Sequence, residues 1–227
     1  MSEYEHQFRD GEEHDPEIWD EHRWEEFFRE SDKQTNKYIR LFEKYMDHPD
    51  CNRIIAEEMG WTQISDENND GKEWLDEFNL EEYKEGEEWK RLTGYEPADF
   101  DQFEDLPLYQ IAHEFAIDAK KMINNRFANR NDESVQTFSR FVTIPSAKIA
   151  GGFSFGFDQD SIGGNIANCK RGLNAANKML DALYDISEKE LLDRDTYLEF
   201  YSRAKEVRDE LAIYIVELRE RFRRGSL

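Results

Sequence analysis

Hydrophobic residues recur at alternating steps of three and four along the second half of the chain, which is the spacing of one buried helix face. The pattern predicts four helices, over residues 106–130, 133–150, 161–184 and 195–223. The third has the most regular stripe: Ile162, Ile166, Cys169, Leu173, Ala176, Leu180 and Leu183. The fourth carries the stripe Tyr197, Tyr201, Ala204, Leu211, Ile215, Leu218 and Phe222. Four long amphipathic helices with short connections predict an up-down-up-down four-helix bundle over residues 103–224.

The first hundred residues predict further helices with a less regular pattern. Asp15 and Pro16 are typical of a helix start, and Ser31-Asp32 of a restart, so we expect helices over 15–30 and from 32 onward. A third helix is expected to end at Gly60, a fourth to cover 73–92, and residues 93–103 to form a linker. The fold class is therefore all-α, with a helical N-terminal region over residues 1–100 attached to the bundle.

All five tryptophans fall within this N-terminal region: Trp19, Trp24, Trp61, Trp74 and Trp89. Because an indole is costly to leave in water, the region is expected to fold and pack. It is not expected to extend as an acidic tail.

Charge divides the chain into two unlike halves. The net charge is −22, and residues 1–100 hold 31 acidic and 12 basic residues, against 21 and 18 in residues 101–227. The whole protein should therefore repel nucleic acid and anionic membranes, whereas the second half is almost neutral. No apolar run is long enough for a transmembrane helix, and the N-terminus lacks the apolar core of a signal peptide, so a cytoplasmic location is expected.

Two basic clusters of the second half are candidate nucleic-acid contacts: Lys120, Lys121, Arg126, Arg130, Arg219, Arg221, Arg223 and Arg224. One interpretation is that they are solvated cations, which helix C-termini favour through the helix dipole. The other is that they form a binding surface that the acidic half of the chain covers. Both interpretations stay open at this point.

Two segments of the bundle region resemble a known family. FEDLPLYQIAHEFA (103–116) is similar to its opening helix, and TIPSAKIAGGF (143–153) to the end of its second helix, although one extra residue lies between Pro145 and Ile149. The family is the four-helix-bundle family of 23S rRNA intervening-sequence proteins, whose relatives include the accessory variability protein of diversity-generating retroelements. The resemblance covers roughly residues 103–222, a little over half of the chain.

The resemblance implies a non-enzymatic protein that assembles into a homo-oligomer, a ring-shaped pentamer in the studied relatives. It also implies a protein or nucleic-acid partner, RNA or DNA, held through a basic surface. With the charge asymmetry, this favours a scaffold or adaptor whose acidic N-terminal region masks or modulates the binding surface.

The stretch DENNDGKEWLDE (66–77) matches a calcium-binding EF-hand loop. Its candidate calcium ligands are Asp66, Asn68, Asp70, Lys72 through its carbonyl, and Glu77. A competing interpretation is that Asp70 caps the helix expected at 73, with the preceding residues forming a turn. The loop supports an alternative function, a calcium-responsive helical binding module.

Other catalytic and metal patterns are incomplete. A di-iron bundle needs two Glu-x-x-His motifs, and this spacing occurs only at Glu3–His6. His113 is followed by Ile117 where a zinc protease has its second histidine. Cys169 occupies a core position of the third bundle helix and is expected to be a small buried hydrophobic residue. We therefore expect no enzymatic activity.

Overall fold

The computed structural model describes residues 18–61, 103–128 and 131–225. Within these ranges the chain forms α-helices and no β-strand, which confirms the predicted all-α fold. The helices are α1 (Glu21–Tyr45), α2 (Cys51–Met59), α3 (Pro107–Phe127), α4 (Glu133–Phe141), α5 (Ile144–Phe153), α6 (Ile162–Glu188) and α7 (Arg194–Arg224). None of these helices has the length and apolar character needed to cross a lipid bilayer.

The described residues fall into two compact units. Residues 18–25 group with 103–128 and 131–225 in a unit that we call the bundle unit, and residues 26–61 belong to the second unit. The sequence placed the division near residue 100. In the structure the bundle unit resumes at Phe103, and the start of α1 also belongs to it.

The second predicted bundle helix, 133–150, is two helices in the structure, α4 and α5, with a break at Val142 and Thr143. Pro145 explains the break, since it has no N–H to donate to the carbonyl of Phe141. Helix α5 then continues through Gly151 to Phe153. The other three bundle helices lie within a few residues of their predicted ends.

Helix α1 also differs from the prediction. It begins at Glu21, after residues 18–20 that are not helical, because the side chain of Asp20 accepts hydrogen bonds from the backbone N–H groups of His22 and Arg23, both at 2.9 Å. The predicted start at Asp15 lies outside the described residues. Helix α1 also runs without interruption through the predicted restart at Ser31. Helix α2 does end at Gly60, whose φ of 76° is the left-handed conformation that glycine adopts without strain.

Aspartates open two of the bundle helices. The carboxylate of Asp132 accepts from the backbone N–H of Ser134 at 2.9 Å at the start of α4. That of Asp193 accepts from the N–H of Thr196 at 2.9 Å at the start of α7. These caps satisfy backbone donors that have no partner inside the helix.

Neighbouring bundle helices run antiparallel at the contacts that join them. Arg126, late in α3, lies 2.7 Å from Asp193 at the start of α7. Lys189, just after α6, lies 3.1 Å from Asp132 at the start of α4. The early part of α6 faces the end of α5, because a Cβ placed on Gly152 would lie 2.7 Å from the side-chain oxygen of Asn165.

The core of the bundle unit lies around α6. Of the predicted stripe, Ile162, Ile166, Cys169, Ala176 and Leu183 are buried, and Leu173 and Leu180 are partly buried against the core. Its largest fully buried partners from other helices are Phe115, Phe138, Ile149, Val207 and Leu211. Every residue from 162 to 169 is buried, so this part of α6 is covered on all sides.

Candidate binding surface on helices α6 and α7

Three cations gather where α6 and α7 lie side by side: Lys170 and Arg171 on α6, and Arg219 on α7. We call them the cationic patch. Residues 19–25 belong to the same unit and supply the carboxylates that contact the patch; we call them the docking segment. The patch and the docking segment form the most extensive set of charged contacts between elements distant in sequence in the described part of the bundle unit.

Glu21 of the docking segment receives two of the cations. Arg219 donates to both carboxylate oxygens, with Nη2 at 2.6 Å from Oε1 and Nε at 2.8 Å from Oε2. Lys170 donates to Oε1 at 3.2 Å. Only 12 % of the Glu21 side chain is exposed, so this two-point arginine–carboxylate contact forms largely out of water.

Glu25 lies one helical turn later and receives the third cation. The Nε of Arg171 lies 2.8 Å from Oε2 of Glu25, and its Nη2 lies 3.4 Å from Oε1. Residues four apart on a helix lie on one face, so the same face of α1 presents both carboxylates to the patch. The cap at Asp20 sets where this face begins.

The charges of this cluster shift the pKa values of its members. Burial works to raise the pKa of Glu21, but hydrogen bonds from Arg219 and Lys170 outweigh it, so the pKa lies below its ordinary value. The hydrogen bond to Glu21 raises the pKa of Arg219. Both shifts favour the ionised pair at neutral pH.

Aromatic rings and glycines give the surface its shape. The ring of Trp24 meets Phe155 edge to face, with centroids 4.9 Å apart, and Trp19 meets Trp24 in the same way at 5.2 Å. A Cβ on Gly163 would overlap the carbonyl oxygen of Trp19 and lie 2.9 Å from the ring of Trp24. A Cβ on Gly164 would lie 2.6 Å from the ring of Phe155. The absence of a side chain at Gly163 therefore lets the docking segment approach the backbone of α6, and the absence of one at Gly164 lets Phe155 approach it.

The two basic clusters predicted from the sequence do not form one surface. Arg126 contacts Asp193 at the start of α7, and Arg219 lies 26 residues further along that helix. At 1.5 Å per residue this separation is about 39 Å. The clusters therefore lie towards opposite ends of the bundle.

The cations of the α3 cluster have local partners. Lys120 donates to the backbone carbonyl of Ser139 at 2.7 Å, and Lys121 lies 3.5 Å from Asp118. Arg126 also donates to the hydroxyl of Thr196 at 3.2 Å. These contacts join α3 to α4 and α7, so two of the three predicted residues connect bundle helices.

The C-terminal cluster is only partly joined to the cationic patch. Arg219 belongs to the patch, whereas Arg221 lies over the ring of Phe157 at 4.8 Å and Arg224 pairs with Glu220 at 3.2 Å. Arg223 is exposed. Arg130 lies outside the described residues, as does the whole 66–77 loop with its calcium candidates Asp66, Asn68, Asp70, Lys72 and Glu77.

The buried thiol and amides of α6 are structural in character. Cys169 is fully buried, as predicted, and burial raises the pKa of its thiol to about 12, so it is almost never a thiolate. Asn165 is also fully buried and donates to the carbonyl of Gly156 at 3.2 Å. Across the described ranges, no group of three His, Cys, Asp or Glu residues is placed to hold a metal ion.

Sequence reasoning missed Lys170, Arg171, Glu21 and Glu25 as members of a surface. The available signals were the Lys170-Arg171 pair within a helix of small and apolar residues, and the tryptophans of the N-terminal region. Trp19 and Trp24 are half-buried in the bundle unit, whereas 44 % of Trp61 is exposed. The tryptophans of the docking segment are therefore packed, as expected, and Trp61 stacks on Tyr38 with ring centroids 5.9 Å apart, whereas Trp74 and Trp89 lie outside the described residues.

Comparison with known proteins adds no assignment: no family model, no curated protein and no solved structure matches the chain.

Proposed function

We propose that the protein is a non-enzymatic, oligomeric helical-bundle scaffold or adaptor that binds an anionic partner through the cationic patch, and that its acidic N-terminal region masks this surface. The proposal rests on one observation: the carboxylates of Glu21 and Glu25 accept hydrogen bonds from all three cations of the patch. An anionic group of a partner, whether from a protein or a nucleic acid, competes with those carboxylates for the same donors.

The masking arrangement is reversible in principle. Exposed or half-exposed ion pairs contribute little to stability, usually under about 1 kcal/mol each, because water solvates the separated charges well. Arg219 and Lys170 keep 39 % and 32 % of their side chains exposed. The Glu21 side chain and the Arg171–Glu25 pair are more enclosed, with 12 %, 18 % and 25 % of these side chains exposed, so a partner replaces the two carboxylates only if its own anionic groups reach the same three cations.

A non-enzymatic role agrees with the titrating groups of the described residues. The carboxyl pKa values lowered furthest belong to Asp132 and Asp193, which cap helices. The cysteine of the bundle is buried with its proton retained.

Oligomer formation is the remaining part of the proposal, and the pentamer rests on the family resemblance alone. It is supported by large apolar side chains on the surface of α6 and α7 that are about half exposed: Tyr184, Leu198, Ile213 and Val216. Static light scattering tests it directly, since a mass of 27.1 kDa in dilute solution contradicts an oligomer.

Masking is tested by removing the two carboxylates while keeping their shape. The double variant Glu21→Gln, Glu25→Gln is compared with the wild type for retention on an immobilised polyanion at low salt. The control Glu206→Gln, Glu210→Gln makes the same change of net charge at the same spacing on exposed residues of α7. We expect the first variant to elute at higher salt than the control. Elution of both variants at one salt concentration contradicts masking.

A further inference from the structure

We infer that the α6–α7 surface recognises a helix of a partner protein that carries two carboxylates four residues apart and an indole between them. This inference rests on the proposed function and names the partner class. The docking segment is the model for the ligand, because Glu21, Trp24 and Glu25 supply these three groups in the structure.

The charges set the spacing of the recognised groups. One carboxylate is shared by Arg219 and Lys170, and the other is held by Arg171. Carboxylates at positions i and i+4 of a helix rise by about 6 Å along its axis. The two receiving sites therefore match consecutive turns of one helix, and a single anionic group cannot fill both.

The uncharged part of the surface favours a protein over a nucleic acid. The backbone of Trp19 and Asp20 lies against Gly163, so the ligand's main chain reaches the helix surface just before its first helical turn. The indole of Trp24 then lies against Phe155 on the same side as the carboxylates. A nucleic acid supplies negative charges and aromatic bases, but it has no helix start whose main chain can lie against Gly163.

The protein's own segment is a competitor for any such partner. The docking segment belongs to the same chain as the cationic patch, so its binding is intramolecular and a free helix with the same groups has to compete with its effective concentration. Binding in trans should therefore become visible when the groups of the docking segment are removed from the chain.

The test uses a fluorescent peptide of residues 18–30 and the full-length chain. In the released variant, Glu21→Gln, Trp24→Ala and Glu25→Gln are combined, and binding is measured by fluorescence anisotropy. We expect the peptide to bind the released variant at least tenfold more tightly than the wild type. Peptides carrying Glu21→Gln with Glu25→Gln, or Trp24→Ala, should each bind at least tenfold more weakly.

Matched chain variants locate the site. In the released variant, Arg171→Ala with Arg219→Ala should abolish peptide binding, whereas Lys121→Ala with Arg126→Ala, at the other end of the bundle, should leave it unchanged. Helicity by circular dichroism verifies that each variant is folded. Should the triple variant unfold, the milder Glu21→Gln, Glu25→Gln chain takes its place in the same measurement.

Failure of this inference is distinguishable from failure of the proposed function. If the released chain is retained more strongly by a polyanion yet does not bind the peptide, the surface is unmasked but the partner class is wrong. Displacement of the peptide by single-stranded RNA at equal or lower concentration also overturns the partner class. If the released variant gains neither polyanion retention nor peptide binding, masking itself is wrong.

Discussion

Helices α6 and α1 have similar lengths, 27 and 25 residues, yet they contribute to their units in opposite ways. More than half of α6 is buried, and it lies at the centre of the bundle unit. No residue of α1 is buried, and Phe27, Ile39 and Phe42 are among its large apolar side chains with about half of their surface exposed.

The unequal burial of α6 and α1 shows that an apolar stripe predicts a helix more reliably than it predicts burial. Both helices are amphipathic, but α6 carries glycine, alanine and asparagine where neighbours approach, so it can be covered on several sides. Helix α1 carries long charged side chains on most of its surface. Its start, in the docking segment, carries the carboxylates and the indole that contact the other helices of the bundle unit.

Thiol reactivity should separate the two units most strongly. Cys169 on α6 is fully buried with a pKa of about 12, whereas Cys51 on α2 is half-buried. Against a free cysteine with a pKa of about 8.5, the thiolate fraction of Cys169 is lower by a factor on the order of a thousand. We expect an aromatic disulfide reagent to modify Cys51 alone in the folded protein. Rapid modification of two thiols per chain in folded protein contradicts this.

Truncation of one apolar side chain in each unit should give the next largest difference. Leu183→Ala removes a fully buried side chain of α6 and should lower the free energy of unfolding by about 2–5 kcal/mol. Phe42→Ala removes a side chain that is 43 % exposed on α1 and should cost about 1 kcal/mol or less. Urea unfolding followed by circular dichroism measures both. Equal losses show that α1 is as firmly packed as α6.

A single methyl group should release the docking segment. Gly163→Ala places a Cβ against the carbonyl oxygen of Trp19, which costs about 1–3 kcal/mol of docking unless the segment moves away. Tryptophan emission should then shift to longer wavelength as Trp19 and Trp24 meet water. The control is Gly151→Ala on α5, where the nearest atom to a new Cβ is 3.9 Å away. An unchanged spectrum for Gly163→Ala contradicts the close approach.

Acidification should also release the docking segment, and this is the smallest of the expected effects. The pKa of Glu21 is lowered in the folded protein, so its ion pairs stabilise docking above the ordinary value of 4.5 and lose that contribution as the pH falls through the folded pKa. We expect a tryptophan emission change below pH 4.5 in the wild type and none in Glu21→Gln. The same change in both chains assigns it to another group.

The carboxylates that cap α4 and α7 titrate in a different pH range from Glu21. The hydroxyl of Ser134 holds the pKa of Asp132 at about 2, and the backbone N–H of Thr196 holds that of Asp193 at about 2. Their protonation should loosen the starts of α4 and α7 only near pH 2. A change that belongs to Glu21 is thus expected at higher pH than a change that belongs to the caps.

Much of the bundle was predictable because its signals are local. The stripe from Ile162 to Leu183 repeats within one helix, and its members are buried or partly buried in the structure. The break before Pro145 was missed although its cause is also local, because the apolar pattern continues across it. The continuity of α1 through Ser31 was missed for the opposite reason, since Ser-Asp is a common helix start that is tolerated inside a long helix.

Local sequence patterns of this kind do not predict the docking surface. The chain alone establishes the all-α class, the core stripe of α6 and the excess of acid in the first hundred residues, since each depends on residue type and short-range spacing. It does not indicate that Glu21 meets Lys170 and Arg219, which lie 149 and 198 residues away. That pairing exists because α6 and α7 bring their cations together and Gly163 leaves space for a helix start. Residues so far apart in sequence form ion pairs only after the tertiary fold has placed their side chains next to each other.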